Sequence, residues 1–283
     1  MSPIHDQSYR RYEGSRQPPG RGWTVILSSG LRAMLNKKLF LGLLVVAWIP
    51  FIVRTIQIYV VVMYPVASQL PFAAVNPKMF MDFLEQQSVF VFFITIYAGA
   101  GLIANDRRAN ALQIYLSKPL LRMEYIGGKL AVLIIYLLFV TLVPALLLVL
   151  MQIAFSGSLA FVRANPFIVP AIVLASLVRV FVAAFTMLAL SSLSKSTRYV
   201  AVLYTGTIFF TEAMYGVLTL VTGSTRVAWV SITGNLARIT DLVFREPPRY
   251  ETPAIVSALV LLGLLVVSIS VLERRVRGVE IVS

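Results

Sequence analysis

Arg54, Arg179 and Glu212 each stand inside a long apolar run, and their positions suggest chemistry more directly than any others in the chain. A charge in a membrane-spanning helix costs a few kcal/mol or more and normally faces a partner or a polar path. Counted from the polar turn at 194–198, Arg179 lies 14 residues before Leu193 and Glu212 lies 13 after Tyr199. At 1.5 Å per residue both sit about 20 Å from that turn. Matching depth on neighbouring antiparallel helices predicts an Arg179–Glu212 pair, with Arg54, 15 residues past Leu39, near the same level. Such a pair is either a polar gate or substrate contact along a permeation path, or a structural pair that fixes helix register.

Few other residues suit catalysis. The single histidine, His5, lies in a basic tail, and the chain has no cysteine. Disulfides and thiolate metal sites are therefore excluded. An intramembrane enzyme would need a His-Glu or paired-Asp motif at membrane depth, and none is present. Gly127-Gly128-Lys129 looks like the end of a phosphate-binding loop. That motif requires Gly where Met123 stands and Ser or Thr where Leu130 stands, on a strand-loop-helix scaffold. The chain is thus expected to be non-catalytic and to hold no metal or cofactor, so any energy source is a partner protein.

The elements that position these residues follow from composition. Of 283 residues, 58% are hydrophobic and 13% charged, against about 45–50% apolar in soluble domains. The mean hydropathy of +0.83 and apolar runs of bilayer length place the chain in a membrane. The net charge of +13 reflects loop charge asymmetry rather than nucleic-acid binding.

Residues 1–22 read as a disordered basic tail. They lack the apolar core of a signal peptide and are expected to be retained. From Trp23 to Lys38, apolar Trp23, Ile26, Leu27, Leu31, Met34 and Leu35 recur at three- and four-residue steps, predicting an interfacial amphipathic helix.

Six spans follow, at about Leu39–Met63, Ser88–Ala104, Gly128–Phe155, Phe167–Leu193, Tyr199–Thr222 and Ala254–Leu272. Pro50 is expected to kink the first. Residues 64–87 read as an external loop with a short helix, and 223–253 as an external interfacial helix ending before Pro247-Pro248. The predicted fold is an all-α integral membrane protein, with a permease-sized domain at 39–272 and a basic tail at 273–283.

Seventeen of the 25 Lys and Arg fall on the side carrying both termini, six fall on the opposite side, and Arg54 and Arg179 lie within the spans. Both termini are therefore expected in the cytoplasm, with the chain in the inner membrane. The loop between the second and third spans faces the same side. Asn105 or Asp106 is placed to cap a short helix there. Ala109, Leu112, Gln113, Ile114, Tyr115 and Leu116 continue it, before Ser117 and Pro119 end one helix and start another.

This arrangement resembles the type-2 ABC exporter permease family. In that family the second span ends at an acidic residue, followed by a helical Leu-Leu-Ser-x-Pro-x-x-Arg stretch and a Gly-Lys pair opening the third span. The matching residues are Asp106, Leu116, Ser117, Pro119, Arg122, Tyr125, Gly128 and Lys129. The chain departs from the family in having Asp106 and then Ala109-Asn110-Ala111-Leu112, where Glu and a Gly-Thr-Leu triplet are frequent. The departure bears on subfamily and cargo.

The resemblance implies a coupling helix within 105–127 that docks on a separate soluble ABC ATPase carrying ATP and magnesium. The coupling residues would include Asp106, Arg107, Arg108, Leu112, Tyr115, Leu116, Ser117, Pro119 and Arg122. It also implies a homodimer or a pair with a second permease. The alternative reading is a secondary transporter or channel not driven by ATP, although the spans display no inverted repeat of the kind such folds often carry.

Overall fold

A computed structural model describes residues 22–64, 66, 74–111 and 121–276. Among the described residues all regular structure is helical. Six helices among the described residues are long and apolar enough to cross a membrane: Lys38–Met63, Pro77–Arg108, Arg122–Ser156, Ile168–Leu193, Thr197–Thr222 and Ala254–Arg275. We number them spans 1 to 6. The chain is a multi-pass membrane protein.

Span 2 corrects the hydropathy reading, because it begins at Pro77 rather than Ser88. Asn76 caps it by accepting from the Met79 amide at 3.0 Å, and Pro77 suits the first turn. Lys78, Asp82 and Glu85 depress the hydropathy of this stretch without breaking the helix. Lys78 pairs with Asp82 one turn on at 3.2 Å, and Glu85 pairs with Arg249. Met79, Phe80, Phe83 and Leu84 are buried on the opposite side of this first part of the helix.

Spans 1 and 3 are each broken once, beside a proline. In span 1 the helix stops at Ala47 and restarts at Ile49, with Pro50 in the new first turn. Pro50 lacks the amide a continuous helix needs. That amide would have bonded Val46 O, and beside it the Ala47 carbonyl at the break accepts from buried Gln87 of span 2, at 3.0 Å. In span 3 the break falls at Thr141, three residues before Pro144, and Thr141 Oγ1 donates to Leu137 O at 2.8 Å.

Spans 2, 3 and 4 form the core, with 61%, 56% and 56% of their most apolar stretches buried. For spans 1, 5 and 6 the shares are only 22%, 11% and 22%. Span 5 exposes Val202, Phe209, Phe210, Leu220 and Val221. In water each such side chain would forfeit about 1.5–3 kcal/mol, whereas in lipid the exposure costs nothing.

Small residues set the closest approaches. A Cβ on Gly99 would lie 2.5 Å from Met187 Cγ and 3.0 Å from Leu133 Cδ2, so spans 2, 3 and 4 converge on that backbone. The Ala98-Gly99 stretch lies in a single turn of π-helix, Thr95–Gly99. A helix at Gly22–Leu35 packs along the start of span 3, where a Cβ on Gly128 would lie 2.9 Å from Ile26 Cβ and 3.0 Å from Trp23 O. Tyr136 locks the pair by donating to Leu31 O at 2.7 Å. Between spans 5 and 6, a 3₁₀ turn at Thr225–Val230 leads into a helix at Ile232–Phe244 that packs on spans 2, 4 and 6.

Candidate functional site

The loop that joins spans 2 and 3 leaves and re-enters the bundle at one place. Asp106, at the foot of span 2, pairs through Oδ2 with Lys129 Nζ of span 3 at 2.7 Å. The same oxygen accepts from the Tyr125 hydroxyl at 2.7 Å, and Lys129 lies 5.6 Å from the Tyr125 ring centre. Tyr125 is fully buried and the two charges are largely so, which makes the group a partly desolvated clamp rather than a surface pair. Gly128, between them, is the residue that admits the N-terminal helix.

Span 4 fastens the same region from the other side. Ser191 Oγ accepts from the amides of Ile103 and Ala104 at 3.1 and 3.0 Å and donates to Ala100 O at 2.9 Å. It thus satisfies amides at the start of the short helix Ala104–Arg108. The expectation that Asn105 or Asp106 caps this helix is corrected: the cap comes from a residue 85 or more positions away in sequence. Asn105 Oδ1 accepts from Thr197 Oγ1 at 2.9 Å, and Arg107 donates to Ser192 O, which ties in the turn between spans 4 and 5.

The helix does not run on from Asp106 through Ala109 as expected. It ends at Arg108, because Asn110 turns left-handed at φ 53°. Asparagine tolerates that conformation better than most residues. Leu112, Tyr115, Leu116, Ser117 and Pro119 lie outside the described residues. Arg122 opens span 3, which Glu124 caps by accepting from Leu121 N at 3.0 Å. Around the loop's two ends Arg108, Ala109, Asn110, Leu121, Arg122 and Met123 are exposed, with Leu121 and Met123 each 67% accessible.

The three charges within the spans take partners other than those expected. Arg179 donates to Leu84 O of span 2 and faces Glu85. Glu212 accepts from Ser231 Oγ at 2.5 Å and from Thr233 Oγ1. The Arg179–Glu212 pair is therefore corrected: depth from the turn fixes height along a helix but not direction around it, and each charge met a nearer partner. Arg54 donates to Gln57 Oε1 of its own helix at 2.8 Å and shares nothing with Arg179.

Sequence reasoning missed a second polar centre at the far end of the bundle. Arg249 binds Asp241 through Nε at 2.8 Å and through its backbone amide at 3.0 Å, and also pairs with Glu85. Asp241 is fully buried. Burial lowers the pKa of Arg249, but bonds to Glu85 and Asp241 outweigh it and hold the value above that of an ordinary arginine. Tyr250 beside it is also pushed up, first by burial and then by Tyr215 and Glu212. The available signal was Asp241 standing among the apolar positions Ile239, Leu242 and Val243 of a helix otherwise read as interfacial. Compared with known proteins, the chain matches no family model and no curated sequence.

Proposed function

We propose that this chain is the transmembrane permease subunit of an ATP-driven exporter resembling the type-2 ABC class. It works as a homodimer or with a second permease and couples to a separate soluble ATPase. On this reading it is not itself an enzyme, and ATP and magnesium belong to the partner. The observation that supports it most is the Asp106–Tyr125–Lys129 clamp, which joins both ends of the loop that would receive the ATPase. A push on a loop anchored at one end only would bend the loop. A push on one clamped to spans 2 and 3, and through Ser191 and Arg107 to span 4, moves three core helices together.

The exposed Leu121, Arg122 and Met123 at one end of the loop and Arg108 at the other offer the ATPase mixed apolar and basic character. On the same reading Gly22–Leu35 lies at the membrane interface on the cytoplasmic side, with both termini there. Co-purification tests this. A soluble protein with a phosphate-binding loop should stay with the intact chain and be lost when residues 106–122 are replaced by a Gly/Ser linker. Transport by the chain alone in vesicles, without ATP or a partner, would overturn it.

A further inference from the structure

We propose that the cavity between spans 2, 4 and 5 and the Ile232–Phe244 helix binds a lipid-like amphiphile, with its anionic headgroup on Arg179. The cavity measures about 260 Å³ and its walls are mostly apolar, from Val91, Phe92, Val182, Ala183, Ile208 and Leu236. That volume lies just under the range of about 300–1,000 Å³ typical of small-molecule pockets. It accommodates a headgroup and the first part of a chain.

Arg179 lines the cavity and is only 6% exposed, and its protein hydrogen bond goes to the Leu84 carbonyl. A guanidinium carries five N–H donors, so most of them remain for a ligand. Thr186 lines the same cavity at 6% exposure, and its Oγ1 has no hydrogen-bond partner among the described residues. Buried polar groups are nearly always satisfied. Seven residues apart on one helix, the two side chains share a face and lie about 10 Å apart along the axis. An anionic oxygen at Arg179 and an ester or hydroxyl oxygen at Thr186 would satisfy both, with the apolar chain along the remaining walls. Glu85 and Arg249 line the cavity as well, but Arg249 is paired with Glu85 and with Asp241 outside the lining, so the Glu85 carboxylate is already matched by a cation and Arg179 is left to receive an anionic headgroup.

The site is separate from the loop face assigned to the ATPase, and its test needs neither ATP nor a partner. The purified full chain in maltoside detergent is titrated calorimetrically with lauroyl lysophosphatidate, with monolauroylglycerol and with inorganic phosphate. The lysophosphatidate should bind at least about tenfold more tightly than the neutral ester, the discrimination expected of one charged hydrogen bond. Inorganic phosphate should not bind at millimolar concentration. Arg179→Met should abolish the preference, and Thr186→Val should weaken lysophosphatidate a few-fold.

Ala237→Leu narrows the cavity from the Ile232–Phe244 helix and leaves Arg179 itself unchanged, so it decides the matter if Arg179→Met does not fold. It too should cost at least about tenfold. Equal binding of the two lauroyl compounds, undiminished binding in Ala237→Leu, or phosphate binding as tightly as the lysophosphatidate would each overturn the proposal.

Discussion

Asp106 is the residue on which the coupling end turns, because one carboxylate oxygen serves both Lys129 and Tyr125. Asp106→Ala leaves a largely buried ammonium and a buried hydroxyl without their acceptor, and should lower stability by about 1.5–3 kcal/mol. In a double-mutant cycle with Lys129→Ala, the double variant should lose less than the sum of the singles. Strict additivity in detergent melts would mean that the two charges do not interact. Ser191→Ala removes the shared acceptor of two buried amides, and about 1–3 kcal/mol should be lost with no change in charge. At the other end Arg249→Met strands buried Asp241. A loss of about 3–5 kcal/mol is expected, relieved when Asp241→Asn is added. Little relief would show that Asp241 does not depend on that cation.

At the scale of elements, the seam between the Gly22–Leu35 helix and span 3 is set by Gly128 and not by its neighbour. A Cβ at 128 would meet Ile26 and the Trp23 carbonyl, whereas one at 127 meets nothing within 4 Å. Gly128→Ala should therefore destabilise by about 1–3 kcal/mol, and Gly127→Ala should stabilise by about 0.5–1 kcal/mol through helix propensity. Limited proteolysis of the N-terminal helix reads the seam directly. Faster cleavage is expected for the variant at 128 only, and equal protection in both variants would contradict this packing. The breaks at Trp48 and Thr141 are another property of elements. Each proline removes a backbone donor, and Gln87 or Thr141 occupies a carbonyl beside the break.

For the whole molecule, charge asymmetry and lipid-facing surface point the same way. Of the six basic residues at the Arg249 end, Lys78, Arg226 and Arg249 are paired with acids, which widens the imbalance between the two ends. Because the chain contains no cysteine, single cysteines report topology cleanly. One at Ala109 should react with a membrane-impermeant maleimide only from the cytoplasmic side, and one at Ser158 only from the opposite side. The reverse pattern would invert the proposed orientation and remove the loop from any soluble ATPase.

The sequence by itself determined that this is an all-helical, six-span membrane protein, because apolar run length and the spacing of Gly, Pro and charge act locally along the chain. It placed spans 4, 5 and 6 within a few residues of their observed ends and located the break in span 1 near Pro50. The resemblance matched Asp106, Tyr125, Gly128 and Lys129 together with Leu116, Ser117, Pro119 and Arg122, but not as a bonded clamp. Span 2 was truncated because charges neutralised by Asp82 and Arg249 read, in one dimension, as loop. Only the tertiary structure decided that Arg179 meets span 2, that Glu212 meets the turn after span 5, and that Asp241 and Arg249 close a buried centre. Pairing depends on the direction each side chain takes around its helix and on which neighbour packs there. Hydropathy and distance along the chain carry neither.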